Sequence, residues 1–170
     1  SIMKRHIRNF VVIASLLLSS FFVLAQKTEI KKTDDLKQAF ENYYRKNYSL
    51  SFEQFSEYIA KHKSSDNLSL EEAYFFQAAC AYEMMNNDTD KLLSDFISNF
   101  AENHRTNDAK FLLANHFVRN QAFEKAAEIY NQIDIKTLPQ NKKYEYYYKS
   151  GHCQFMLKDY DKAKQSFMNV

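Results

Sequence analysis

The sequence predicts an all-α protein built as an array of about four helix–turn–helix units. Two observations lead there. Glycine and proline occur once each in 170 residues, where average usage gives roughly 12 and 8. Tight β-turns, glycine-rich phosphate loops and doubly wound βαβ units need residues that tolerate positive φ or close backbone approach, and one glycine cannot supply them. The second observation is a long-period recurrence: Leu113-Ala114, Phe117, Phe123, Ala126, Tyr130 and Ile133 carry nearly the same spacing as Gly151, Phe155, Tyr160, Ala163, Phe167 and Val170, with Ala126 and Ala163 standing 37 residues apart. Hydrophobic residues at 45% and aromatics at 16% supply a core and exclude a disordered chain.

The first segment reads as targeting. Lys4, Arg5 and Arg8 form a positive start, Phe10–Leu24 is an uncharged apolar run of 15 residues, and Val23-Leu24-Ala25 places small or β-branched residues at a cleavage site. Residues 1–25 are therefore expected to be a signal peptide and 26–33 an N-terminal tail. A run of 15 falls short of the roughly 20 residues a membrane-spanning helix needs, and no cysteine near Ala25 marks a lipoprotein. The mature chain is expected to be exported, periplasmic or outer-membrane-associated, and not membrane-spanning. Removing residues 1–25 takes three of the 23 basic groups and none of the 21 acidic ones, leaving 20 against 21. A basic nucleic-acid footprint has no support in that balance.

Residues 34–170 read as the repeat array, with units at approximately 34–68, 69–106, 107–140 and 141–170. The last two are clear. A small residue midway along each first helix (Ala114, Gly151) and another in each second helix (Ala126, Ala163) let two backbones approach closely, and aromatics at the turn (Phe123, Tyr160) and beyond it (Tyr130, Phe167) fill the space beside that contact. Two looser copies lie upstream. One has Ala79 at the small position, Tyr82 at the aromatic one and Phe96 in the second helix; the other has Ala39, Tyr48, Ser51, Phe55 and Tyr58 in comparable places. Asn86-Asn87-Asp88 and Ser64-Ser65-Asp66-Asn67 supply cap and turn chemistry without glycine. The spacing beyond 34 residues is expected to extend the linker 134–142. Helix capping is polar at the ends of repeat arrays, and no polar helix follows Phe167–Val170, so the array is expected to continue past this point.

At these residues the chain resembles the tetratricopeptide-repeat family, whose 34-residue unit has a large residue, a Leu-Gly pair and an aromatic in its first helix, then Ala, Phe and Ala in its second. The match runs through AKFLLANHFVRNQAFEKAAEIYNQI and YYYKSGHCQFMLKDYDKAKQSFMNV. Ser150 stands where Leu is usual, Gln154 where an aromatic is usual, and Pro139 about one residue past the usual proline. The segment SDFISNFAENHRTNDAKFLLANHFVRN is similar to the repeat linker of Gram-negative cell-envelope repeat proteins, without its proline. The resemblance implies a right-handed α-α superhelix whose first helices line a concave groove that receives a protein or peptide. Placed on the family's groove positions, the sequence offers Phe40, Tyr43 and Tyr44, then Phe76, Cys80 and Met84, then Phe111, Asn115, Val118 and Arg119, and last Tyr148, His152, Phe155 and Met156. Asn115 and Arg119 match two positions of the clamp that binds C-terminal carboxylates in some members, whereas Phe111 replaces its lysine, which argues against that ligand.

Catalysis is not expected. His62, His104, His116 and His152 share no metal-ligand spacing, and His152 beside Cys153 points about 100° away from it on a helix, so the two form no nucleophile–base pair. No metal or cofactor is expected. Cys80 and Cys153, two repeats apart, are expected to be buried and reduced. The expected function is a non-enzymatic interaction scaffold in the cell envelope. The alternative is a structural spacer or self-associating segment of a larger envelope protein.

Overall fold

The computed structural model describes residues 35–63 and 68–170; the expected signal peptide and tail lie outside the described residues, as does the turn 64–67. Among the described residues there is no strand, and the all-α class expected from the sequence is what the chain adopts. Within the described residues eight helices follow one another: α1 (35–44), α2 (Tyr48–His62), α3 (Leu68–Glu83), α4 (Thr89–Asn99), α5 (Thr106–Arg119), α6 (Phe123–Tyr130), α7 (Gln140–Met156) and α8 (Tyr160–Phe167). A 3₁₀ turn, Ile135–Thr137, occupies the long linker. Asn107 at the start of α5 holds that linker by accepting from the Asp134 N–H at 3.0 Å and donating to its carbonyl at 2.9 Å.

The helices form four pairs, and the same turn closes each. Lys46, Met85, Gln121 and Lys158 have φ of 62°, 55°, 58° and 64°, and stand 39, 36 and 37 residues apart. Each is preceded by a first helix and followed by a second. In all four the next residue donates to the carbonyl five positions back: Asn47 to Asn42 at 2.9 Å, Asn86 to Ala81 at 2.9 Å, Ala122 to Phe117 at 2.9 Å and Asp159 to Gln154 at 2.8 Å. The left-handed residue itself donates three positions back, to Tyr43, Tyr82, Val118 and Phe155. This pair of bonds is the Schellman ending, which satisfies the orphan carbonyls of a helix and ordinarily selects glycine at the left-handed position. Here four residues with side chains hold it.

Aligning the pairs on this turn fixes their register. Seven residues before it stand Ala39, Ala78, Ala114 and Gly151, all buried. Nine residues after it stand Phe55, Tyr130 and Phe167, and Phe96 joins them because the turn into α4 is two residues longer. The small position of the second pair is thus Ala78 rather than the expected Ala79, and the position expected to hold Tyr82 holds Ala81. The extra residues build an Asx turn in which the Asn86 side chain accepts from the Asp88 N–H at 2.9 Å, and Thr89 donates its hydroxyl to the Asn86 carbonyl at 2.6 Å.

Within pairs, the small residues work by close approach. Ser51 of α2 donates to the Ala39 carbonyl of α1 at 2.9 Å, a side chain reaching a helix backbone that no bulky residue shields. In the last pair a Cβ built on Gly151 would lie 2.8 Å from Cε1 of Phe167 and 3.1 Å from Cβ of Ser166, so the ring occupies the space an alanine takes elsewhere. Between pairs, α2 packs on α3, α4 on α5 and α6 on α7. Cys80 and Cys153 are free and buried, in separate parts of the core, and burial pushes each thiol up to about 11. Holding a Cβ-bearing residue in the left-handed region costs about 1 kcal/mol or more. Gln121→Gly is therefore expected to stabilise the chain by about 1 kcal/mol, raising the thermal midpoint by roughly 2–4 °C; an unchanged or lowered midpoint in a melting curve would contradict the strain.

Candidate functional site

Successive first helices pack on one another, α3 on α5 and α5 on α7, and α1 joins them through Phe40 and Tyr43, whose rings each lie 4.9 Å from that of Phe76. The second helices do not pack on each other to a comparable extent. Pairs that touch on one side and splay on the other bend toward the touching side, so the first helices form the inner face. Two residues before each left-handed turn stand Tyr44, Glu83, Arg119 and Met156, and all four are exposed. This register position is the row on the inner face that no neighbouring pair covers.

The row is aromatic at one end, charged in the middle and apolar at the other end. Arg119 is held in place. Its guanidinium donates to the Tyr82 carbonyl at 3.1 Å and lies 4.1 Å from the centre of the Tyr82 ring, a cation–π contact that orients the charge without neutralising it. Tyr43, just behind Tyr44, has its hydroxyl pKa raised by burial and by the Glu83 carboxylate, so it stays a neutral hydrogen-bonding group. A polar hollow of about 260 Å³ opens beside Arg119, between the α3–α4 turn and the end of α5, with Asn86, Asp90, His116 and Asn120 in its wall.

The structure sorts ten of the fourteen residues placed on the groove from sequence. Tyr44, Arg119 and Tyr148 are exposed; Phe40, Tyr43, Met84 and His152 are half-buried. Phe76, Phe111 and Asn115 are 4%, 2% and 4% exposed, and their assignment as groove residues is corrected: they pack between pairs. Asn115 accepts from the Tyr130 hydroxyl at 2.6 Å and donates to Glu145 at 3.3 Å, so both ends of its amide are occupied. His152 meets the Phe123 ring edge-on at 5.5 Å. In the second pair the assignment slipped by one residue, choosing Met84 where Glu83 holds the exposed position. Sequence carried no signal for Glu83, because the turn that sets the register has no glycine.

Among the described residues no cluster of three or more His, Cys, Asp or Glu side chains is placed to hold a metal. His62 pairs with the Tyr58 carbonyl, His104 with Glu72 and His116 with Asn120, so the histidines are scattered over separate elements. Cys153, buried with a raised pKa, is the reverse of an activated thiolate. No described helix is long and apolar enough to cross a membrane. No protein-family model matches the chain, and no curated protein matches it.

His116 gives the hollow a pH dependence. Burial lowers its pKa; the Asp90 carboxylate opposes that shift in part, and the neighbouring Arg119 charge adds a smaller lowering. The folded chain thus takes up this proton less readily than the unfolded chain, which does so near 6.5. The contribution is complete above that value and is lost as pH falls below it. His116→Gln is expected to flatten stability between pH 7 and 5, read as denaturation midpoints across that range; parallel curves for the two chains would remove His116 from the account.

Proposed function

We propose that this chain is a tetratricopeptide-like scaffold that takes an extended peptide or a protein segment along the inner face of its first helices, and that it does so in the cell envelope after export. The observation that carries the reading is the uncovered row Tyr44, Glu83, Arg119 and Met156 on a face built by consecutive helix pairs. An exposed aromatic and an oriented arginine on one row are groups that anchor partners, since they bring large contact area or several directed donors at low entropic cost. Glu83 and Arg119 bear opposite charges, which suits a partner carrying both signs rather than a polyanion. The inner face thus differs from the groove first read from sequence. Phe76, Phe111 and Asn115 support it from behind, and Tyr44, Arg119 and Met156 are offered to the partner. Export rests on the positive start and the 15-residue apolar run at Phe10–Leu24. No catalytic role is proposed.

A second reading, a spacer or self-associating segment of an envelope assembly, draws on the apolar residues exposed on the last pair, Tyr160, Phe167 and Met168 among them. The two readings separate in one experiment. The immobilised chain is exposed to an envelope extract and retained proteins are identified, in parallel with Tyr44→Ala and Arg119→Glu variants whose helicity and melting are checked. Scaffold binding predicts a defined partner lost by at least tenfold with Arg119→Glu while the fold is unchanged. Retention that is indifferent to both substitutions, with mass rising with concentration in light scattering, selects the spacer.

A further inference from the structure

Where one first helix adjoins the next, the shared register pairs the residue three before one turn with the residue two before the following turn. The pairs are Tyr43 with Glu83, Tyr82 with Arg119 and Val118 with Met156. The second pair is complete within the chain. Its guanidinium reaches back from α5 to lie 4.1 Å from the centre of the Tyr82 ring on α3, and donates to the Tyr82 carbonyl at 3.1 Å. The third pair is apolar. The first repeats the aromatic platform of the second but has a carboxylate where the arginine stands.

Tyr43 is the centre of that platform. The Tyr44 ring meets it at 5.6 Å and 83°, the Tyr48 ring at 5.6 Å and 67°, and Phe76 backs it at 4.9 Å. Crossed rings make corners, and the face of each ring carries the negative part of its quadrupole. Glu83 comes to the same level through the antiparallel packing of α2 and α3. Gln77 of α3 donates to Ser56 of α2 at 2.8 Å, and Cys80 donates to Ser51 at 3.4 Å. One turn beyond Cys80 stands Glu83, and one turn before Ser51 stands Tyr48, so the same register brings these two together. Burial, and after it the Glu83 carboxylate, raise the pKa of both the Tyr43 and the Tyr48 hydroxyl, which places the carboxylate within electrostatic reach of both.

The chain supplies no cation to this corner. Among the described residues Glu83 has no ion partner, and no lysine or arginine lies over the Tyr43, Tyr44 or Tyr48 ring. Arg45 and Lys46, in the adjoining turn, are exposed and engage neither. We propose that Tyr43, Tyr44, Tyr48 and Glu83 form a binding site for the guanidinium of an arginine carried by the partner segment. A guanidinium lies flat on an aromatic face while its edge donates two parallel N–H groups to a carboxylate, which a compact ammonium does not do. Arg119 on Tyr82 is the same contact made internally one junction further on. That the arginine comes from a partner rests on the scaffold reading; the site itself does not.

The probe is an acetylated, amidated Gly-Arg-Gly tripeptide, titrated into isotope-labelled chain while the aromatic resonances of Tyr43, Tyr44 and Tyr48 are followed by NMR. Saturable shifts confined to these rings are expected, and the citrulline tripeptide, equal in shape and uncharged, is expected to give none. Glu83→Gln, at an exposed position, is expected to weaken binding about fivefold, in the range of a partly exposed ion pair. Glu83→Arg is expected to fill the corner from within and abolish binding, with helicity and melting retained. Absence of saturable shifts overturns the proposal, as does binding of the citrulline tripeptide or binding indifferent to either substitution. Tetramethylammonium binding more tightly than the arginine tripeptide assigns the corner to a small quaternary ammonium and overturns it too. A tripeptide needs no scaffold partner, so its failure removes this site alone, and the scaffold reading stands or falls on the extract experiment.

Discussion

Each pair of helices depends on two conditions met together: a pivot residue driven into the left-handed region, and a small residue seven positions earlier on the first helix. The Schellman bonds at Lys46, Met85, Gln121 and Lys158 reverse the chain within two residues and satisfy the last carbonyls of the first helix. So sharp a reversal drops the second helix onto the first at short range. Ala39, Ala78, Ala114 and Gly151 leave the room for it. A larger side chain at any of them would hold the second helix off and expose the aromatic nine residues past the turn. Gly151 shows the limit, because the Phe167 ring takes the volume that a methyl fills in the other pairs.

Between pairs, adhesion and register come from different forces. Burial of Phe55, Phe96 and Tyr130 supplies most of the attraction, which is non-directional and would tolerate sliding. Direction comes from polar groups at repeated positions. Arg105 bridges Glu72 and Asp108, at 3.2 and 3.7 Å, while its guanidinium lies over the Phe75 and Phe76 rings. Lys142 continues the series on Asp108, and the Tyr130 hydroxyl reaches Asn115, whose amide turns to Glu145. Partly exposed ion pairs contribute at most about 1 kcal/mol each. Their effect is to make one stacking register better than its neighbours, since a shift of one residue breaks all of them at once.

The two ends of the described array differ in solvation. At the first, α1 turns Lys37, Gln38, Glu41 and Arg45 to water, a surface that resists further stacking. At the other, α7 and α8 present Tyr148, Phe155, Tyr160 and Phe167. In a one-dimensional stack every interior pair is covered twice and a terminal pair once, so polarity at an end governs whether the stack accepts another helix. The inner face obeys a separate rule. Its row of Tyr44, Glu83, Arg119 and Met156 is exposed at every pair, because the first helices pack together below it and leave the tips of their last turns open.

The sequence by itself determined the helical class and the long period. One glycine and one proline remove the alternatives locally, and the matched spacing of Ala126 with Ala163 and Tyr130 with Phe167 records a repeated steric fit. It also located the helices of the last two pairs, where small and large residues contrast. In QAACAYEMM three alanines and a cysteine stand close together, so two registers fit equally well, and only the turn at Met85 selects Ala78 over Ala79. That turn was invisible because Lys, Met and Gln do not announce a left-handed conformation as glycine does. Tertiary structure alone decided which aromatics are offered outward. Phe111 and Tyr148 occupy the same register position and read alike in sequence, yet one is sealed and the other open. Periodicity reports the face of a helix on which a side chain lies, whereas burial depends on whether another helix, distant in the chain, comes to lie on that face.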